Sequence, residues 1–228
     1  MKTYAIIVAG GSGSRMLSAV PKQFLLLNGT PVLMHTLLAF HHCNSKPHII
    51  LALPAHFHTH WAQLCITHNF TVPHQLVNGG ETRFHSVKNG LDMIPGNSDT
   101  LVAVHDAVRP LISCEIIDTS YQYAAKHGNA VAAVKSRDSV RQLKNETSFA
   151  LNRDEIYLIQ TPQTFQSTQL KSAYRQPYNA KFTDDAGVVE ESGIKINLIA
   201  GDYQNIKITF PEDIAIAVLL QKTRIEKS

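Results

Sequence analysis

The sequence predicts an α/β fold with a mostly parallel, twisted sheet covered by helices, on three observations. Short apolar, β-branched runs recur at Tyr4–Val8, His48–Leu53, Leu101–Val104 and Ala130–Val134. Each is short and apolar enough to be a strand buried on both faces. Helical patterns lie between most of them, the alternation that joins parallel strands by crossovers. At 228 residues the chain can bury a full core, so one domain spanning residues 1–228 is expected.

The first run feeds a glycine-rich turn, Ala9 to Gln23, which reads AGGSGSRMLSAVPKQ. Asn28-Gly29 reads as a turn between a strand-like Phe24–Leu27 and a helix behind Pro31, where Val32–Phe40 carries a near-continuous apolar face. Val72–Val77 is strand-like. Arg83–Ile94 places Phe84, Val87, Leu91 and Ile94 at helical spacing, and this segment and Val32–Phe40 are expected to be crossover helices. Near the end, Pro211 starts a segment, Glu212–Leu220, apolar nearly all round; it is expected to pack as a final helix that closes the core. The stretch from about Lys135 to Tyr157 is polar, with scattered apolar residues, and cannot be a core element on its own. It is either a disordered loop or an arm that buries its apolar residues against something else, such as a second subunit.

The formal charge is +3, with cations scattered among carboxylates. That balance suits a small anionic substrate and argues against a nucleic-acid partner. Cys43, Cys65 and Cys114 are an odd number with no close pair, so neither a disulfide framework nor a cysteine zinc site is indicated. No segment approaches the length of a membrane span, and the first apolar run is broken by Gly10 and Gly11 too soon for a signal peptide. A cytoplasmic protein is expected. His56, His58 and His60 alternate near His41-His42, but without a carboxylate or cysteine among them they read as a solvated helix face near Trp61.

The turn after the first strand carries the chemistry. Its glycines let backbone N–H groups approach an anion, and Arg15 and Lys22 add two cations. Gly11-Ser12-Gly13 lacks the third glycine of a dinucleotide fingerprint, and no G-K-[ST] follows to make an ATPase loop. Ligands of parallel sheets bind beyond the carboxyl ends of the strands, so residues following each run are the candidates. Gly79-Gly80 opens the helix at Arg83, with Ser86 one turn in. Asp106 and Arg109 straddle a turn ended by Pro110, and Asp106 can ligate magnesium or accept from sugar hydroxyls while Arg109 can grip a phosphate. His105 reads as a buried neutral histidine, the alternative being that it orients Asp106 from the strand edge. Asn205–Thr209 places Lys207 at a strand.

Together the motifs resemble one family, the 2-C-methyl-D-erythritol 4-phosphate cytidylyltransferases of the non-mevalonate isoprenoid pathway. The resemblance rests on AGGSGSRM (Ala9–Met16), PKQF (Pro21–Phe24), GGETRFHSV (Gly79–Val87), VHDAVRP (Val104–Pro110), NRDEIYLIQTPQTF (Asn152–Phe165), FTDDAGVVE (Phe182–Glu190) and NIKITFPEDIAIA (Asn205–Ala217). It implies a Rossmann-like nucleotidyltransferase domain with a protruding dimerisation arm at about 135–157. Ala9, Gly10, Gly11, Ser12, Gly13, Gly80, Glu81, Ser86 and Asp106 would bind CTP. Asp106, Arg109, Ser139 and Thr161 would hold the acceptor. Arg15, Lys22, Arg153 and Lys207 would be catalytic. Mg²⁺ would arrive mainly on the CTP phosphates, with Asp106 as a weak ligand, and a homodimer exchanging arms would let Ser139 and Arg153 complete the partner's site. Ser139 and Glu81 stand where the family usually has threonine and aspartate, keeping chemical type. Ribitol-5-phosphate cytidylyltransferases, which make CDP-ribitol, share the glycine loop, VHDAVRP and NIKIT, and are the alternative. The basic, hydroxyl-bearing Arg137–Arg141 segment favours methylerythritol phosphate. Sugar-1-phosphate nucleotidyltransferases share GGxGxR, but usually carry threonine where Ser14 sits.

Overall fold

The structure, a computed structural model, describes residues 1–10, 20–96 and 99–225. Gly11, Ser12, Gly13 and Arg15 lie outside the described residues. The strands are β1 (Lys2–Val8), β2 (Leu26–Leu27), β3 (Thr30–Pro31), β4 (His48–Leu53), β5 (Gln75–Asn78), β6 (Thr100–Asp106), β7 (Asn129–Lys135), β8 (Arg141–Lys144), β9 (Thr147–Ala150), β10 (Tyr157–Gln166) and β11 (Leu198–Ala200). The helices are α1 (Val32–His42), α2 (His58–Thr67), α3 (Arg83–Asp92), α4 (Cys114–His127), α5 (Ser167–Ala173), α6 (Asp185–Glu191) and α7 (Glu212–Ile225).

Seven strands form the central sheet in the order β11-β7-β10-β6-β1-β4-β5. β1 pairs in parallel with β4 and β6, and β10 alone runs antiparallel to its neighbours. The mostly parallel sheet follows from the apolar runs. Successive residues of β1 face opposite sides, so Ala5 and Ile7 join one core layer and Ile6 and Val8 the other. The first layer is closed by Leu33, Met34, Leu37 and Phe40 of α1, Trp61 of α2 and Ile117 and Tyr121 of α4. The second is closed by Phe84, Val87 and Leu91 of α3 with Leu170 of α5 and Val188 and Val189 of α6. Each such fully buried side chain contributes about 1.5–3 kcal/mol.

Four expectations are corrected. β10 was not foreseen: its glutamines, threonines and Pro162 obscure the pattern, and the proline sits where the ladder to β7 shifts register between Ile159 and Gln163, a break that tolerates a missing N–H. Asn205–Thr209 is not a strand; it is an extended segment whose Ile208 N–H donates to Val108 O at 2.9 Å. Phe24–Leu27 divides between a 3-10 turn, Lys22–Phe24, and β2, which pairs with β3 around Asn28-Gly29, both at positive φ. The final helix is a surface element: Ala217 is buried against Leu27, Val32 and Val108, while Ile216 and Leu219 are exposed.

The polar stretch is ordered as a two-stranded ribbon. β8 and β9 pair around Asn145-Glu146, and all eight strand residues are exposed. Its base is tied by Ser136 N–H to Ile156 O and Leu151 N–H to Val140 O, each 2.9 Å, and by Arg137 stacked 3.4 Å over the Tyr203 ring. The excursion ends before Tyr157, which already belongs to β10.

Candidate active site

The carboxyl ends of β1, β4 and β6 bring the loops together. Ala9 N–H donates to Ala52 O, Ala107 N–H to Val8 O and Gly79 N–H to Leu53 O, so the turns leave the sheet in fixed register. The Lys22 turn is drawn in by Gln23, whose Nε2 donates to Ala9 O at 3.1 Å, leaving Lys22 buried. Space is tight at one glycine of this cradle and prohibitive at another. A Cβ on Gly10 would sit 3.0 Å from Ser86 Oγ, and one on Gly80 only 2.3 Å from His85 Cβ. Ser86 Oγ accepts from Gly80 N–H and donates to Thr82 O, both at 3.0 Å, bracing the loop from beneath.

Asp106 is the hub. Arg83 Nε lies 3.3 Å from its Oδ1; Lys207 Nζ lies 2.9 Å and Arg109 Nε 3.5 Å from its Oδ2. Burial pushes the Asp106 carboxyl up, but Arg83, Lys207 and Arg109 outweigh it and hold the group well below the usual carboxylate range. Arg83 also reaches Asp185, Nη2 to Oδ2 at 2.7 Å. Burial opposes its charge, yet Asp185 and Asp106 raise its pKa. Asp185 is fully buried and accepts from Tyr174 OH at 2.6 Å. Beside it Asp184 caps α6 through Gly187 N–H at 2.9 Å and accepts from Gln163 Nε2 at 2.9 Å. Arg109 Nη1 donates to Asn205 O at 2.8 Å, linking the β6 turn to the Lys207 segment.

Behind the hub, His105 Nε2 lies 3.3 Å from Arg109 O and Nδ1 lies 3.0 Å from Thr161 Oγ1. A carbonyl only accepts, so Nε2 carries the hydrogen and a neutral ring accepts from the Thr161 hydroxyl at Nδ1. Thr161 Oγ1 in turn accepts from Asp106 N–H at 3.1 Å. Burial pushes His105 down to about 3, matching the expected neutral histidine. In the unfolded chain a histidine takes its proton below about 6.5, whereas folded His105 stays neutral to about 3. This contribution to stability is therefore present above about pH 6.5 and is lost as pH falls toward 3. Urea unfolding at pH 7 and pH 5 is expected to show wild type losing more stability than His105→Gln; equal losses would remove His105 as the cause.

Two cavities open on the hub. One, about 220 Å³, is lined by Ala9, Gly10, Lys22, Glu81, Arg83 and Asp106 among others, and Lys207. The second, about 230 Å³, is lined by Arg109, Gln160, Thr161, Gln163, Thr183 and Asp184 together with Arg83, Asp106 and Lys207. Arg83, Asp106 and Lys207 belong to both and form the wall between them. A larger cleft, about 760 Å³, lies at the amino ends of the strands around Tyr4 and His48 and contains none of the expected site residues.

The expected nucleotide residues Ala9, Gly10 and Glu81 thus line one cavity with Lys22, and Arg109 and Thr161 line the other, whereas Ser86 and Gly80 brace the loop. Ser139, just before the ribbon, and Arg153, in the 3-10 turn Arg153–Glu155 after it, are exposed and line neither cavity. Sequence reasoning missed Arg83, Asp184, Asp185 and Gln163. Their signal was present in GGETRFHSV and in the paired aspartates of FTDDAGVVE, but Arg83 was read as a helix start alone.

The 2-C-methyl-D-erythritol 4-phosphate cytidylyltransferase (IspD) family model matches residues 3–222. The chain is similar to curated proteins of that name: 47% identical over 223 residues to one from Porphyromonas gingivalis, covering 96% of this chain and 97% of the relative. It is 47% identical over 222 residues to one from Bacteroides thetaiotaomicron, covering 96% and 100%. Among solved structures, the 4-diphosphocytidyl-2C-methyl-D-erythritol synthase of Anaerococcus prevotii superposes with a TM-score of 0.83 at 30% identity, over 97% of this chain and 96% of that one. The Francisella tularensis cytidylyltransferase gives 0.80 at 32% identity, over 96% and 100%. Glycine-bearing loops at the strand ends, a wall of Arg83, Asp106 and Lys207 shared by two cavities and this agreement along nearly the whole length have one meaning: the chain belongs to the 2-C-methyl-D-erythritol 4-phosphate cytidylyltransferase family.

Proposed function

We propose that the two cavities are the two halves of one reaction centre, CTP entering the one lined by Gly10, Lys22 and Glu81 and the acceptor phosphate the one lined by Arg109 and Thr161. The observation that carries this reading is the common wall of Arg83, Asp106 and Lys207. The chain transfers CMP from CTP to 2-C-methyl-D-erythritol 4-phosphate, giving 4-diphosphocytidyl-2-C-methyl-D-erythritol and pyrophosphate for isoprenoid synthesis. The ribitol 5-phosphate alternative is not favoured, because the curated relatives are named for methylerythritol phosphate.

The mechanism follows from charge. The acceptor's phosphate oxygen attacks the α-phosphorus in line, and the bond to the bridging oxygen breaks as pyrophosphate leaves. Two anions must meet, so Lys22, Arg15 and Lys207 offset repulsion and then stabilise charge on the five-coordinate phosphorus. No general base is required, because a phosphate monoester is ionised near neutral pH. Asp106 faces Arg83, Lys207 and Arg109 rather than phosphate and holds these cations in place, and His105 and Thr161 fix Asp106. Ser86 holds the glycine loop for the base and ribose.

The residues present do not fit a protein-held magnesium ion. Both Asp106 oxygens face cations, and among the described residues no group of three or more His, Cys, Asp or Glu is placed to hold a metal. Mg²⁺ therefore belongs to the triphosphate, whose oxygens suit it, and Asp106 is not proposed as its ligand.

The ribbon supports a homodimer. Leu143 is 73% exposed and Phe149 50% on a two-stranded hairpin that would be marginal alone in water, and Leu158 beside it on β10 is 53% exposed. A second subunit covering these side chains would bring Ser139 and Arg153 to its own acceptor cavity. Among the described residues no helix is long and apolar enough to cross a membrane, and all three cysteines are free thiols, which supports a reducing cytoplasm.

Pyrophosphate release from CTP and Mg²⁺, measured with methylerythritol 4-phosphate and with ribitol 5-phosphate, tests the acceptor. Turnover is expected with the former; turnover only with ribitol 5-phosphate would overturn the assignment.

A further inference from the structure

Arg83 has a position in the site that its place at the start of α3 does not require. It lines both cavities, yet it is bound from behind. Nε faces Asp106 and one Nη2 hydrogen goes to Asp185. Asp185 is itself fixed by Tyr174 OH at 2.6 Å, and the adjoining α6 turn by Gln163, whose Oε1 accepts from Ala186 N–H at 2.8 Å. An arginine has five N–H donors in a rigid plane. The other three on Arg83 have no hydrogen-bond partner among the described residues. Its nitrogens are also absent from the buried, unpartnered atoms there, which are Arg109 Nε, Gln169 Oε1 and Asn205 Oδ1. With the side chain 25% exposed, the unpartnered Nη1 is therefore open to solvent at the wall between the cavities.

Of the three wall residues, Asp106 is an anion and Lys207 a point charge already drawn to it. Arg83 alone presents a planar donor edge whose orientation is set before any ligand arrives. Resting on the reading of the two cavities given above, we propose that Arg83 is a catalytic residue that donates from its free edge to a non-bridging oxygen on the α-phosphorus as the acceptor oxygen attacks. The new bond forms from the acceptor phosphate oxygen to the α-phosphorus. The bond to the bridging oxygen breaks, its electron pair leaves with pyrophosphate, and no proton changes place at Arg83. Asp106 and Asp185 hold the guanidinium still, so the donors meet developing charge without reorganisation.

Two variants and one substrate analogue test this. Arg83→Lys keeps the charge and loses the planar edge. Arg83→Met combined with Asp185→Asn removes the buried pair together, leaving no carboxylate unpaired by the substitution. Both are expected to remain folded and to bind CTP alone within about threefold of wild type, while kcat falls about 10²-fold. With CTP carrying sulfur on the α-phosphorus, the rate ratio of the two diastereomers is expected to shift about tenfold or more in Arg83→Lys, because the contact to one non-bridging oxygen is lost; a merely structural role leaves that ratio unchanged. An unchanged ratio, or kcat within threefold of wild type in either variant, overturns the role of Arg83. Wild-type chain that releases no pyrophosphate with either acceptor overturns instead the reading of the cavities.

Discussion

Replacing Lys22 by alanine is expected to lower turnover about 10²–10³-fold, the loss typical of removing one charge that stabilises a transition state, while the chain stays folded. The reason lies in how Lys22 is held. It stands on a short 3-10 turn drawn against the end of β1 by Gln23 and Ala9, and lines the cavity that also contains Gly10 and Glu81. The sheet and both core layers are built without it, so far-ultraviolet circular dichroism and the thermal midpoint are expected to match wild type closely. Steady-state kinetics with both substrates give the decisive number. Lys22→Arg keeps the charge but replaces a compact ammonium by a broad fork, so partial recovery is expected. Wild-type kcat in Lys22→Ala would remove Lys22 from the reaction centre.

Charging the apolar residues of the ribbon is expected to have the second largest effect. Leu143→Asp with Phe149→Asp places two carboxylates where a partner subunit is proposed to dock. Both side chains already face solvent, and among the described residues the ribbon contributes nothing to the three apolar clusters. Folding of the isolated chain should therefore be unaffected. Association is lost, because an ionised carboxylate in an apolar interface is strongly disfavoured. Sedimentation is expected to show a monomer, with activity reduced about 10²-fold or more through loss of the arginine and hydroxyl supplied across the interface. A monomeric variant with wild-type activity would refute the shared site.

Much of this architecture was legible in the sequence because its central strands are buried on both faces. β1, β4, β6 and β7 contain continuous apolar runs, and the loops after β1, β5 and β6 hold the expected residues. β10 was hidden by the opposite circumstance: its first three residues are exposed, Pro162 interrupts it, and its buried part is rich in glutamine and threonine rather than apolar. Its Thr161 was expected at the acceptor, but not its bond to His105. Helix α7 misled in the other direction, since apolar residues on all sides suggested burial that, among the residues whose burial is described, only Ala217 attains. Arg83 and Asp185 lie 102 residues apart, and nothing local in either segment reveals that the fold pairs them. A similar separation hides the joining of Asp106 to Lys207.

The most direct test of the composite centre mixes two inactive variants, Lys22→Ala and Arg153→Ala, under conditions where subunits exchange. If each site takes Lys22 from one chain and Arg153 from its partner, half of the randomly mixed dimers are hybrids with one intact site each, and activity should recover to about a quarter of wild type. If both residues act within a single chain, each hybrid contains two defective sites, and a mixture no more active than the separate variants would contradict the shared centre.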